Sequence, residues 1–152
     1  MGYLALNLNT TGAENTAVGK VALSANTTAN SNVAIGVESL QDSTTGASNT
    51  AVGTGSLKEN TTASNNTAVG NFALRQTTTG ANNTAVGKNA LLADTLGSTA
   101  VAIGYQALTT QNFTSSTDSY NVAVGYNSGE SSTTGTNLSL IHISEPTRLL
   151  SI

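Results

Sequence analysis

The sequence predicts an all-β fold, a repeat β-solenoid or parallel β-roll of about eight 17-residue coils. Three features of the sequence lead to this prediction. In most units a glycine recurs every 17 residues, an Ala-Val or Ala-Ile pair precedes it, and a leucine follows it four residues later. Helical solenoids need roughly 33–47 residues per unit and propeller blades about 40. Seventeen residues instead match two short strands and two turns.

The repeat unit reads N-T-A-V-G-x-x-A-L and continues into a polar stretch that contains T-T-G or T-T-A. Its most complete copies are 15–23, 66–74 and 83–91. The apolar run is short, rich in Val, Ile and Thr, and bounded by Asn and Gly, which favours a strand over a helix. The polar stretch has the residues of turns, since Asn and Gly tolerate left-handed backbone.

Stacking one coil on the next brings residues 17 apart into columns at the strand spacing of about 4.8 Å. A glycine in every coil suits a positive φ or a close backbone approach. This predicted structural Gly column is Gly2, Gly19, Gly36, Gly53, Gly70, Gly87, Gly104 and Gly125. Stacked asparagines predict a ladder of side-chain amides. The predicted Asn ladder is Asn15, Asn32, Asn49, Asn66, Asn83 and Asn121.

Two adjacent apolar columns predict a strand that is covered on both faces, because consecutive strand residues point to opposite sides. One face is assigned to the core of the coil. This predicted core comprises the Val/Ile column, Val18, Ile35, Val52, Val69, Val86, Ile103 and Val124, and the Leu column, Leu23, Leu40, Leu57, Leu74, Leu91 and Leu108. The other face is assigned to an interface between chains. This Ala column is Ala17, Ala34, Ala51, Ala68, Ala85, Ala102 and Ala123. The alternative is that Ala is the largest residue that a thin coil can hold.

The repeat predicts one β-roll domain over residues 1–137, as a fragment of a longer fibre. The glycine spacing lengthens from 17 to 21 between Gly104 and Gly125, which predicts a four-residue insertion near 112–118. Residues 138–152 break the pattern and hold the only His and the only Pro. They resemble translated sequencing-adapter read-through and are predicted to be an artefactual or disordered tail. A genuine tail or cap is the alternative.

Composition excludes several classes of function. Charged residues make up 9% of the chain and the net charge is −3, without the basic patch of a nucleic-acid binder. No apolar run approaches the roughly 18 residues of a membrane span. The chain has no Cys and one His, His142, and its acids share no face by periodicity. Triads, metal sites and paired carboxylates therefore lack support. We predict no catalytic residue, no metal and no cofactor, and hence no enzyme.

The motifs N-T-A-V-G-x-x-A-L and S-N-V-A-I-G, the latter at Ser31–Gly36, resemble the head repeats of trimeric autotransporter adhesins of the YadA type. Similar units occur in bacteriophage tail fibres. The resemblance covers roughly residues 2–137, although the adhesin heads repeat at a shorter period. It implies a left-handed parallel β-roll, a homotrimer, and an extracellular place on a cell surface or a virion appendage. The implied role is attachment, to a receptor or glycan that the resemblance does not identify.

Other functions fit a β-solenoid. A self-assembling extracellular filament of stacked solenoids is one alternative, and a polysaccharide-cleaving β-helix is the enzymatic one. An ice-binding solenoid is less favoured, because its Thr residues come in adjacent pairs such as Thr27-Thr28 and Thr44-Thr45. Neighbours in a strand face opposite ways, so the pairs cannot form one sheet of hydroxyls.

Overall fold

A computed structural model describes residues 2–142 and confirms the predicted all-β parallel solenoid, with about seven turns of chain. Its strands are short because Gly and Asn bound each apolar run. They are β1 (Thr16–Val18), β2 (Val33–Ile35), β3 (Thr50–Val52), β4 (Thr67–Val69), β5 (Thr84–Val86), β6 (Gly97–Ser98), β7 (Val101–Ile103), β8 (Thr117–Asp118), β9 (Val122–Val124) and β10 (Ser139–Ile141).

Eight of these strands form one parallel sheet in the order β1-β2-β3-β4-β5-β7-β9-β10. Pairing keeps equivalent residues opposite each other, so that Ala17 faces Ala34 and Ala51 faces Ala68. The offset is 17 residues until β7, where Val101 pairs with Val122. The short strands β6 and β8 form a second parallel pair. The columns predicted from the repeat therefore exist as rows of stacked residues.

The insertion lies where the glycine spacing places it. Asn112 still contacts Thr95, 17 residues earlier, through a hydrogen bond of 3.0 Å from the Thr95 hydroxyl to Asn112 Oδ1. By Val122 the offset has risen to 21 residues. The four extra residues therefore lie between Asn112 and Val122.

The core of each coil is thin and consists of leucine and alanine. The Leu column is fully buried from Leu23 to Leu108, and the Ala column is fully buried from Ala34 to Ala123. A further alanine, such as Ala22 or Ala73, completes several of the layers. Stacked Leu and Ala side chains thus form a continuous apolar core from Leu23 to Leu108.

Two predicted assignments were wrong and are exchanged in the structure. The Ala column faces the Leu column inside the coil, whereas the Val/Ile column lies on the outer face. Its exposed members are Val18 at 48%, Ile35 at 40%, Val69 at 37%, Ile103 at 39% and Val124 at 38%, while Val52 and Val86 are half-buried. The physical reason is space: Leu fills most of the narrow interior, so the facing strand can insert only a methyl group. The alternative interpretation of Ala, as the largest residue that fits, is the correct one.

Two features of the Gly column exclude a side chain: its backbone conformation and its close contact with the next coil. Gly53 has φ +130° and Gly70 has φ +138°, values that L side chains rarely adopt. A Cβ on Gly53 would also lie 2.5 Å from the carbonyl oxygen of Gly70 in the next coil. Successive coils thus touch backbone to backbone at the end of each strand.

Three corners of each coil adopt left-handed backbone, and in most coils the residue there is not glycine, which the sequence did not predict. The Leu column itself has φ between 49° and 52°. Val21 and Phe72 hold a second corner, and Ser48 and Asn82 a third. Such conformations cost of order 1–3 kcal/mol each and persist where the surroundings fix them. Here hydrogen bonds to the neighbouring coil fix them, as in Leu57 N–H to Ala73 O at 3.0 Å.

The stack continues beyond the predicted boundary at residue 137. Strand β10 pairs in parallel with β9, so that Leu140 lies opposite Ala123 and packs partly buried against the core. Residues 138–142, predicted to be part of the tail, therefore form another rung of the sheet. The rest of the predicted tail, residues 143–152, lies outside the described residues, as does Met1.

Candidate functional site

The asparagines of the predicted ladder do stack, but most of their side-chain hydrogen bonds join backbone groups rather than other side-chain amides. Asn49 is typical: its Oδ1 accepts from the Asn66 N–H at 3.0 Å, and its Nδ2 donates to the Ala63 carbonyl at 2.9 Å. Among the described residues, one amide–amide bond joins two members of this ladder, from Asn49 Nδ2 to Asn32 Oδ1 at 3.2 Å. Each buried Asn therefore joins two backbone groups that the strands leave unpaired, a structural role.

A second buried polar column was missed in the sequence. It runs through Asn26, Ser43, Asn60, Thr77, Asp94 and Gln111, all fully or almost fully buried. Asn60 shows its role, since it holds both the N–H and the carbonyl of Ala63 across a tight turn, at 3.0 and 3.1 Å. The 17-residue spacing was visible, but the residue type changes from coil to coil, which concealed the column.

The Asn ladder is interrupted once, at Ala100. Its N–H still bonds to Asn83 Oδ1 at 2.9 Å, but Ala100 has no amide for the next coil. The N–H of Asn121 turns instead to the Ser119 hydroxyl at 3.4 Å. The Asn121 Nδ2 donates to Gln111 Oε1 at 2.7 Å and to the Gly135 carbonyl at 2.6 Å.

The same coil contains a buried acid. Asp94 is 1% exposed; its Oδ1 accepts from the Gly97 N–H at 2.9 Å, and its Oδ2 accepts from Gln111 Nε2 at 2.7 Å. Burial raises the pKa of the Asp94 carboxyl, while the hydrogen bonds from Gln111 and Gly97 lower it by less. Asp94 is the one buried carboxylate among residues 2–142.

The outer face of the main sheet presents the Val/Ile column to solvent. Its members stand one strand spacing apart, about 4.8 Å, and Ile141, 71% exposed, extends the row into β10. Residues two positions before each member of the Val/Ile column share this face and are Thr or Val, among them Val33, Thr67 and Val122, while Ser139 holds this place before Ile141. An apolar stripe therefore follows the rod along its length, on a chain in which 61 of 152 residues are Ser, Thr or Asn.

Comparison with protein-family models, with curated proteins and with solved structures finds no match for this chain. The stacked columns of residues are therefore the features from which a function can be inferred.

Two exposed tyrosines stack on each other in the coils of β7 and β9. Tyr105 and Tyr126 follow the column glycines there, and their rings stack with centroids 5.1 Å apart and planes 11° apart. In earlier coils the equivalent positions are mostly polar, such as Thr54 and Lys88. This stacked pair adds exposed aromatic area to the surface of these two coils.

The rest of the described surface carries few charges and is mostly polar, although Tyr3, Leu8 and Tyr120 are exposed there. Lys58 Nζ lies 2.7 Å from Glu38 Oε2, and this hydrogen bond lowers the pKa of the half-buried Glu38 carboxyl. Arg75 lies 3.7 Å from Glu59, and its guanidinium carbon lies 5.1 Å from the centre of the Phe72 ring. Ion pairs at the protein surface contribute about 0–1 kcal/mol each.

The two residues of each Thr pair have different environments. The first Thr of a pair donates its hydroxyl to the next coil, as in Thr44 Oγ1 to the Thr61 carbonyl at 3.0 Å. The second, such as Thr45 or Thr62, is exposed. Each pair thus places one hydroxyl outward, giving a single row rather than a two-row array.

Residues 2–142 bring together no group of three or more His, Asp or Glu side chains that could hold a metal ion. His142 is exposed and borders a shallow hollow with Asn127, Gly129 and Leu140 at the end of the described stack. Nothing in this part of the chain forms a helix with the length and apolarity that crossing a membrane requires.

Proposed function

We propose that this chain is a structural fibre or adhesin module: a rigid rod whose copies associate side by side and mediate attachment to a cell surface or host. The Val/Ile column carries this proposal. It is a continuous row of exposed and half-buried apolar side chains on a rod whose core is already complete. Exposed apolar stripes of this kind are typical of surfaces that another protein covers.

A second copy of the same chain is the partner that this stripe suits. Fully burying a Val or Ile side chain is worth about 1.5–3 kcal/mol, and these are about half covered already, so each adds about 1 kcal/mol. Summed over the column, this is comparable with the ~4–15 kcal/mol that association costs. A straight, repeating row also matches its own copy residue by residue, and closed symmetry is the usual result.

Three chains are favoured by the resemblance to the heads of trimeric adhesins. In such an assembly the Val/Ile column lies at the centre and the polar turns face outward. Each outward column then appears three times around the axis and several times along it. Weak contacts of those turns with a receptor or glycan would add through avidity.

The attachment proposal can be tested with the fluorescently labelled full chain on a panel of cultured epithelial cells and bacterial cells. The double variant I35D/V69D places two charges in the apolar stripe. The control T45D/T62D places the same charges on exposed Thr of another face. We expect wild type and control to bind at least one cell type about tenfold more strongly than I35D/V69D, since avidity is lost with association. Binding to no cell type, or equal binding by all three proteins, would contradict the proposal.

A further inference from the structure

The coil from Asp94 to Asn121 contains the one titratable group that the rod buries among its described residues. The groups packed against the Asp94 carboxyl are neutral. Gln111 bonds to it from the following coil and Gly97 from within its own turn, and the backbone of Leu96 and Phe113 also hydrogen-bonds to it. Thr77 of the preceding coil donates its hydroxyl to the backbone carbonyl of Asp94 at 2.9 Å. Burial and hydrogen bonds account for its pKa, and no charged side chain of the described residues contributes to it.

The other coils show what this position needs. Asn60, in the same column, accepts from the Ala63 N–H and donates to the Ala63 carbonyl. Asp94 accepts from the Gly97 N–H in the same way through Oδ1. When ionised it has no hydrogen to donate; when protonated on Oδ2 it is isosteric with Asn and can donate to the Gly97 carbonyl. The neutral acid thus reproduces the pattern of the regular coils.

Asp94 also supports the weakest part of the ladder. Its Oδ2 orients Gln111, whose Oε1 in turn accepts from Asn121 Nδ2 at 2.7 Å. This chain of side chains spans the interruption at Ala100 and the four extra residues before Val122. A change in the charge of Asp94 therefore alters the hydrogen bonds that join the coils across the interruption at Ala100.

We propose that the coil from Asp94 to Asn121 is a proton-responsive joint in the rod, closed when Asp94 is protonated and opening more readily when Asp94 is ionised. The sign follows from linkage. Because burial raises the pKa in the folded state above its usual 3.8, the folded coil binds the proton more tightly than the unfolded chain does. The stabilisation is complete below that usual value and is lost as the pH rises through the raised pKa. The joint does not depend on the attachment function proposed above.

Amide hydrogen exchange of the full chain tests the joint at about pH 4 and about pH 8, corrected for intrinsic exchange rates. Protection of 94–121 is divided by that of the regular coils 49–66. We expect this ratio to fall about tenfold or more from low to high pH in wild type and in D118N, which removes an exposed charge from the same coil. In D94N the ratio should stay constant, since the Asn9–Asn26 pair, joined at 2.6 Å, shows that stacked amides fit this column.

Two results would contradict the proposed joint. One is a protection ratio that does not change with pH in wild type, and the other is the same fall of this ratio in D94N. A carbon-13 titration of the Asp94 carboxyl provides a second measurement, and a midpoint at or below the ordinary value would also contradict the proposal. If D94N does not fold, D94S serves the same comparison, because Ser43 occupies this column in another coil.

Discussion

The regular coils of residues 15–91 and the irregular coil of 94–121 use different residues to pair the buried backbone groups between coils. In the regular coils one Asn per turn bonds to the backbone of the next coil, as Asn66 does to the N–H of Asn83 at 2.8 Å. In the irregular coil Ala100 has no side-chain acceptor, and the Ser119 hydroxyl accepts from the N–H of Asn121 instead. What the stack requires is a partner for each buried backbone group, and the residue that provides it can change.

The two regions differ on the outside as well. Regular coils expose the second Thr of each pair, such as Thr62 and Thr79. At the equivalent positions of the irregular coil stand Leu96, half-buried, and Phe113, 5% exposed. The burial of Phe113 coincides with the four extra residues that begin just after it. An interruption in the repeat thus brings its own local apolar packing, while the rest of the rod stays uniform.

The largest effect is expected at a feature that both regions share, the Gly column. In Gly53→Ala the Cβ would meet the Gly70 carbonyl oxygen at 2.5 Å, at a φ that alanine does not favour. Backbone contacts backbone here, so no side chain can move aside. We expect a loss of about 4 kcal/mol or more in the free energy of unfolding, measured by chemical denaturation.

The matched control for this substitution lies two residues away. Gly55 has φ +64°, in a corner column where other coils carry Asn or Phe, and its nearest neighbour is the Phe72 ring, a side chain. Gly55→Asn should lower the free energy of unfolding by less than about 1 kcal/mol. Equal losses at Gly53 and Gly55 would show that close coil contact is not what selects the column.

A smaller effect is expected when the irregular arrangement is transplanted into a regular coil. Asn66→Ala removes the acceptor of the Asn83 N–H and the donor to the Gly80 carbonyl, and both groups lie inside the rod. Leaving such groups unpaired should reduce the free energy of unfolding by about 2–4 kcal/mol, as followed by denaturant melts.

Adding Ala81→Ser to that variant imitates Ser119, which stands at the equivalent place before Asn121. Rescue of about 1 kcal/mol is expected, because the new hydroxyl can accept from the Asn83 N–H. The same Ala81→Ser change in wild type, where Asn66 already serves, should give no gain. If the double variant were no more stable than Asn66→Ala, Ser119 would not be the replacement acceptor.

The smallest effect concerns the left-handed corners, which both regions also share. Val21 has φ +51°, unfavourable for a β-branched residue, whereas Asn89 and Asn127 hold the same corner with a residue that tolerates it. Val21→Asn should increase the free energy of unfolding by about 1 kcal/mol, and Asn89→Val should decrease it similarly. Thermal melts of both variants measure this, and a loss of stability in both would count against strain at the corner.

The period, the parallel stacking and the rows of like residues could be predicted because identical residues recur at one spacing. The Gly column and the buried Leu column follow from that repetition alone. The insertion followed from one longer glycine interval, and the structure places it between Asn112 and Val122.

Other features could not be predicted, for physical reasons. Strand alternation separates Ala51 from Val52 but does not say which faces inward when both are apolar. The inner side was decided by Leu57 filling the coil, a long-range packing effect. Leucines at positive φ carry no sequence signal, because neighbouring coils rather than intrinsic preference hold them there. The second polar column was concealed by its changing residue types.

The solution mass of the full chain, by light scattering after size exclusion, tests most directly whether the Val/Ile column joins copies of the rod. We predict three times the 15.2 kDa of one chain for wild type and for T45D/T62D. For I35D/V69D we predict a single chain that keeps its β-type circular dichroism. A wild-type protein with the mass of one chain, or an I35D/V69D variant that assembles as wild type does, would contradict this account.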